Sequence, residues 1–125
     1  MGNPVVHFEV VGKDAEGLQR FYGESFGWDI QPVMPVYAMA HPRADHGIDG
    51  GIGADPAGGE GHVTFYVEVD DLGDALETIE RLGGRKVSEP MDVPGGPRIA
   101  MFADPEGHVV GLVEAGSQRG QQTGG

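Results

Sequence analysis

The chain has 125 residues, which suits one compact domain able to bury a core without a staple. It holds no cysteine, so a disulfide framework and a thiol nucleophile are excluded. Eight Lys and Arg against 20 Asp and Glu give a net charge of −12, which repels phosphate backbones and anionic membranes, so neither nucleic acid nor membrane is an expected partner.

The start of the chain lacks a basic region followed by an apolar stretch, and no apolar run approaches a membrane span, so a cytoplasmic location is expected. Residues 5–11 alternate as a strand, with Val6, Phe8 and Val10 on one face and His7 and Glu9 on the other. Asp14 can cap a helix in which Ala15, Leu18, Phe21, Tyr22 and Phe26 recur at helical spacing, and Gly27 suits the left-handed position after its end. Short strands are then expected over residues 28–33, 36–40 and 51–54, with a turn at 46–50 before the last. Gly58-Gly59-Glu60-Gly61 reads as a linker.

The pattern then repeats at an offset of 57 residues (63 − 6), which lays Val63, Phe65 and Val67 over Val6, Phe8 and Val10. Val69 extends that apolar face, with Thr64, Tyr66 and Glu68 opposite. Asp71 can cap a second helix carrying Leu72, Ala75, Leu76, Ile79 and Leu82, stopped by Gly83-Gly84. Strands are expected over 85–91, 98–103 and 108–114. Prolines stand at strand ends, where a missing donor costs little, and Asp104-Pro105-Glu106-Gly107 fits a tight turn. Residues 116–125 are Gly- and Gln-rich with no apolar side chain, and are expected to form a loose tail.

The expected class is α+β: one domain over residues 1–115 built from two βαβββ modules, about 4–55 and about 62–115. The helices should cover the apolar outer faces of the sheet. The mixed faces would then enclose a cup lined by His7, Glu9, Thr64 and Tyr66, where ligand chemistry would sit.

His7-Phe8-Glu9-Val10, the run Phe21-Tyr22-Gly23-Glu24-Ser25-Phe26-Gly27-Trp28, Gly50-Gly51-Ile52 and the run Phe102-Ala103-Asp104-Pro105-Glu106-Gly107-His108 follow one another at a telling spacing. In these features the chain resembles the vicinal-oxygen-chelate (glyoxalase/bleomycin-resistance/dioxygenase) superfamily, from Val5 to Glu114. The resemblance implies the two-module cup, a homodimer, and in the enzymes of the family a divalent metal held at four strand corners. The first corner matches His7, a good ligand. Its counterpart is Thr64, a poor one. The last-strand corner of module two matches Gly111, and that of module one falls near residues 52–54; neither offers a donor. No metal or other cofactor is therefore expected. Glu114 stands off the corner on the opposite face. His62 shares the inward face of Thr64 but lies about 7 Å along the strand.

Each candidate has a functional and a plainer reading. His7 is a general base or polar hook for a ligand, or a histidine satisfied within a lined cavity. Glu9 orients or charges the His7 imidazole, or is an exposed edge carboxylate. Thr64 and Tyr66 offer ligand hydrogen bonds, or fill space. Trp28, Met39 and Met101 form an apolar wall for a ring-bearing ligand, or pack in a core or dimer contact. Arg98 meets an anionic ligand, or is solvated; His41, His46 and His108 read as surface residues. No nucleophile-elbow or dinucleotide fingerprint is present. The expected function is metal-independent binding of a small organic molecule in the cup. The alternative is a glyoxalase-like lyase or isomerase, or a dioxygenase, either metal-dependent or moving a proton with His7 and Glu9.

Overall fold

The computed structural model of the chain describes residues 2–117. The tail expected over 116–125 therefore lies, beyond Ser117, outside the described residues. The fold is α+β and contains the two βαβββ modules. Its contacts form two compact units, one spanning Val6–Phe65 and the other running from Tyr66 onward together with the first residues through Val5. The division falls inside a strand rather than at the glycine linker. Among the described residues no helix is long and apolar enough to cross a membrane.

In the first unit, β1 (Val5–Gly12) leads through the Asp14 cap into α1 (Ala15–Phe26). The Asp14 carboxylate accepts from the Gly17 N–H at 3.0 Å, satisfying one of the orphan donors of a helix start. Gly27 ends α1 at φ 70°, the left-handed conformation that a side chain disfavours. Next come β2 (Asp29–Met34), β3 (Tyr37–His41) and β4 (Gly50–Ala54). The strand order is β2-β3-β4-β1-β5, with β1 and β4 parallel. The strand β5 (His62–Val69) begins here and runs on into the second unit. Val10, Ala40 and Ile52 form the core beneath α1, joined by Phe8, Leu18, Tyr22, Trp28 and Ile30.

The second unit continues with α2 (Leu72–Arg81), whose cap Asp71 accepts from the Asp74 N–H at 2.8 Å. It ends with β6 (Arg85–Lys86), β7 (Met91–Asp92), β8 (Arg98–Ala103) and β9 (Val109–Glu114). The order is β5-β9-β8-β6, with β7 also on β8. Leu72, Leu76, Ala100 and Leu112 form its core, with Val67, Val69, Ala75, Ile79 and Phe102 packed around them. Burying each of the three leucines contributes about 1.5–3 kcal/mol. The Asp104 turn forms as expected: its carbonyl accepts from Gly107, and its carboxylate from the N–H groups of Glu106 and His108. Those donors, His108 first, hold the Asp104 carboxyl below the usual range.

Four expectations are corrected. Phe21 and Phe26 are 60% and 61% exposed. The narrow stripe of α1 that meets the sheet is filled by Leu18 and Tyr22, leaving Phe21 edge-on to Tyr22 and Phe26 against Trp28. Leu82 is exposed because it is the cap residue beyond the last turn of α2. Val63 and Phe65 are exposed rather than covered by a helix. The ten residues of α2 reach about 15 Å, against about 26 Å for the eight of β5, and the helix rests on Val67 and Val69. Finally, residues 85–91 do not form one strand. Val87 and Ser88 both donate to the Met101 carbonyl, and Pro90 has no N–H to offer, so pairing breaks between β6 and β7.

Candidate functional site

Alternation along β1 separates its two faces. Phe8 and Val10 lie with α1, so His7 and Glu9 lie on the side away from it. On β3 the same rule puts Tyr37, Met39 and His41 on that side, with Ala40 in the core. On β4 it leaves only Gly51 and Gly53 there, because Ile52 points into the core.

This bare strand face decides the local geometry. β4 lies between β3 and β1, with Gly51 opposite both Met39 and Glu9. A Cβ on Gly51 would stand 1.6 Å from the Tyr37 hydroxyl oxygen, so the phenol lies directly across the glycine. Crossing it brings the hydroxyl to β1. There it donates to Glu9 Oε2 at 2.9 Å and lies 3.0 Å from His7 Nε2. The other carboxylate oxygen, Glu9 Oε1, is 2.8 Å from His62 Nε2. Four side chains thus form one hydrogen-bonded chain, His7–Tyr37–Glu9–His62. Its His62 end is 40% exposed, while the Glu9 side chain is 13% exposed. Burial lowers the His7 pKa below its ordinary value, outweighing the opposite pull of Glu9 and Asp49. Thr64 is buried and shares the face of His62 on β5.

The second unit repeats the device with different neighbours. Tyr66 is opposite Gly111 on β9, and Met101 of β8 pairs with the same glycine. A Cβ on Gly111 would meet the Tyr66 ring at 2.4 Å, and the ring is buried. The repeat offset carries Glu9 onto Tyr66, so Gly51 is the counterpart of Gly111.

The sequence candidates divide accordingly. His7, Glu9 and Thr64 fall on one face of the first unit, with Met39 beside them. Tyr66 and Met101 fall on one face of the second. Trp28 does not join them: it packs on the α1 side, stacked on Tyr22 at 5.8 Å and 5.4 Å from Phe8. Glycine stop and strand start place it there, directly after the helix whose aromatic residues it meets. Nor does Arg98, which sits at the end of β8 on the side of Ala100 and Phe102. It pairs with Glu114 at 3.4 Å and Asp92 at 3.6 Å. Glu114 also accepts from the Leu72 N–H, which fixes its direction toward α2. His41, His46 and His108 pair with Asp49, Asp45 and Asp104. A recess of about 350 Å³ along α1, lined by Glu16, Gln19, Arg20, Gly23, Glu24 and Ile30, involves none of the candidates.

Sequence reasoning missed Tyr37 and set His62 aside as a near miss. The signal for Tyr37 was present in β4: a strand whose entire face is glycine leaves room that a long neighbouring side chain fills. The same geometry bears on a metal. Of the residues on this face of the first unit, His7 is a good donor, Thr64 offers a hydroxyl, and Gly51 offers nothing. Among the described residues no group of three or more His, Asp or Glu stands together in a way that could hold a metal ion. These residues do not fit a divalent cation.

Residues 5–112 match the family model described as the Glyoxalase/Bleomycin resistance protein/Dioxygenase superfamily. A glyoxylase-like domain-containing protein of Didymella fabae is 28% identical over 111 residues, covering 80% of this chain and 84% of that protein. The anthracycline biosynthesis protein DnrV of Streptomyces peucetius is 29% identical over 94% of this chain. The chain spans only about half of DnrV (49%). In three dimensions the chain is similar to methylmalonyl-CoA epimerase from Mycobacterium tuberculosis, with a TM-score of 0.67 at 16% identity, covering 88% and 86% of the two chains. Two βαβββ modules and a family match across nearly all of both lead to one conclusion: the chain belongs to the Glyoxalase/Bleomycin resistance protein/Dioxygenase superfamily.

Proposed function

We propose that this protein is a metal-independent small-molecule-binding member of the superfamily, cytoplasmic and homodimeric, whose ligand meets the face carrying His7, Glu9, Tyr37, His62 and Thr64. The observation that carries the reading is the pair of roofed glycines. At Gly51 and Gly111, where a ligating side chain would be needed, the backbone is bare and a tyrosine ring covers it. The remaining donors are hydrogen-bonded to one another instead of being arranged around a cation. Such a face suits a partly apolar organic molecule that exchanges hydrogen bonds with imidazole, phenol and hydroxyl groups. The net charge of −12 opposes a polyanionic thioester of coenzyme A and favours a neutral or cationic molecule.

A thermal-shift and calorimetric panel tests this, with methylmalonyl-CoA and an anthracycline as contrasting probes, each run once with EDTA and once with an added divalent metal. Binding only to the native state raises the melting point. The expected result is a shift with the neutral or cationic aromatic probe and none with the CoA ester. A shift that requires added metal would overturn the reading.

A second reading has its own observation. A histidine held neutral by burial, linked through a phenol to a carboxylate, is suited to taking and returning a proton. Under it the protein is an isomerase or lyase in which His7 and Glu9 move a proton. If turnover of any bound molecule survives both His7→Ala and Glu9→Gln, that role is lost.

A further inference from the structure

We propose that Asp49 is the anionic anchor of the ligand face and receives a positively charged group, such as an organic ammonium, of the molecule bound there. This rests on the binding function proposed above and deepens it by naming the charge of the ligand.

Strand register puts Asp49 in place. Gly50 is partnered by Ala40 of β3 and by Phe8 of β1, and both of these side chains belong to the core beneath α1. Continuing both ladders by one residue aligns Asp49 with His41 on one side and His7 on the other, on the face away from α1. Two observations agree with this placement. Asp49 Oδ2 stands 3.0 Å from His41 Nδ1. Burial lowers the His7 pKa, and the charges that oppose it are Glu9 and then Asp49. The row of His41, Asp49 and His7 thus borders the row of Met39, Gly51 and Glu9.

The carboxylate is open and has no permanent counter-ion. Its side chain is half exposed, at the rim of a face in which Glu9 is largely covered. The loop over residues 42–49 brings one permanent cation, Arg43, and that guanidinium turns to Asp29 at 3.6 Å. Among the described residues Asp49 pairs with no Lys or Arg, only with His41, which is cationic only when protonated. A carboxylate accepts at both oxygens, so Asp49 keeps room for an N–H donor from a ligand, and a charged donor makes the stronger bond. Met39 in the next row and the exposed Ile48 before Asp49 offer apolar contact to the rest of the molecule. The ligand class is therefore an ammonium or similar cation carried on an apolar body. His41 is here a positioning residue, since it holds one oxygen of Asp49.

Two matched probes test this on the full chain: 2-naphthylmethylammonium and the uncharged 2-naphthylmethanol, titrated near neutral pH and low salt and followed in 1H–15N spectra. The ammonium is expected to bind the wild type about five- to tenfold more tightly than the alcohol. Asp49→Asn should erase that preference and leave the affinity for the alcohol unchanged. Asp45→Asn removes the same charge from a fully exposed position on the same loop, and should keep the preference. Equal binding of the two probes by the wild type overturns the proposal and leaves the binding function standing. So does a preference that survives Asp49→Asn, or one lost equally in Asp45→Asn. If neither probe binds, the binding function itself fails, and the anchor falls with it.

Discussion

Module one and module two each leave a glycine at the same place on the last strand and lay a tyrosine over it. The tyrosines come from different strands and reach different company. Tyr37 arrives from β3, crosses Gly51 and ends among His7 and Glu9. Tyr66 arrives from β5, covers Gly111 and has Met101 as the residue paired with that glycine from the other side. The cores differ in the opposite sense. α2 contributes two buried leucines to the second unit, while no residue of α1 is fully buried in the first. One unit thus has fully buried helix leucines, and the other carries the linked His7, Tyr37, Glu9 and His62.

The sharpest way to break this comparison is to remove a core side chain from each unit. Leu72→Ala, at a position with no exposure, is expected to cost about 2–5 kcal/mol. Leu18→Ala, at a partly exposed position, should cost clearly less. Urea midpoints compare them, and equal losses would mean that α1 anchors its unit as firmly as α2.

The roofed glycines come next in size. Adding one methyl at Gly111 drives it into a buried ring, with an expected cost of about 1–3 kcal/mol. Gly51→Ala should cost less stability, because Tyr37 is partly exposed and can swing outward. It should nevertheless disconnect His7 from Glu9, visible as a change in the His7 imidazole signals. If Gly51→Ala leaves those signals untouched, the crossing of Tyr37 over the glycine is not what joins β3 to β1.

The smallest effect is the pH dependence. Burial lowers the His7 pKa from 6.5, so the unfolded chain binds a proton that the folded chain still refuses. This contribution to stability is fully present above about pH 6.5 and is lost as pH falls from there toward the lower folded value. His7→Gln should flatten that part of the curve, measured as the difference in urea midpoint between neutral and mildly acidic buffer. An unchanged slope would mean that His7 titrates as an exposed histidine.

The parts of this account that the sequence made legible are those governed by local rules. Alternation placed His7 opposite Phe8, Asp14 and Asp71 marked the helix starts, and Gly27 and the Asp104 turn closed their elements where expected. The site was legible only in part, because its geometry depends on which strands become neighbours. His7 and Glu9 can be read from β1 alone. Tyr37 matters only because β4 lies between β3 and β1 and is bare on that face, a non-local pairing that no periodicity within β3 reveals. His62 matters through a pairing 53 residues distant in sequence. Trp28 shows the converse: a residue attractive as a ligand wall belongs to the packing beneath α1, because the helix that precedes it sets its direction.

Metal content tests the central claim most directly. The protein, purified without chelator and then dialysed against zinc, manganese or nickel, can be analysed by inductively coupled plasma mass spectrometry. Bare, tyrosine-roofed positions at Gly51 and Gly111 predict far less than one equivalent of any of these ions after desalting. One equivalent retained by the wild type and lost in both His7→Ala and His62→Ala would contradict the account.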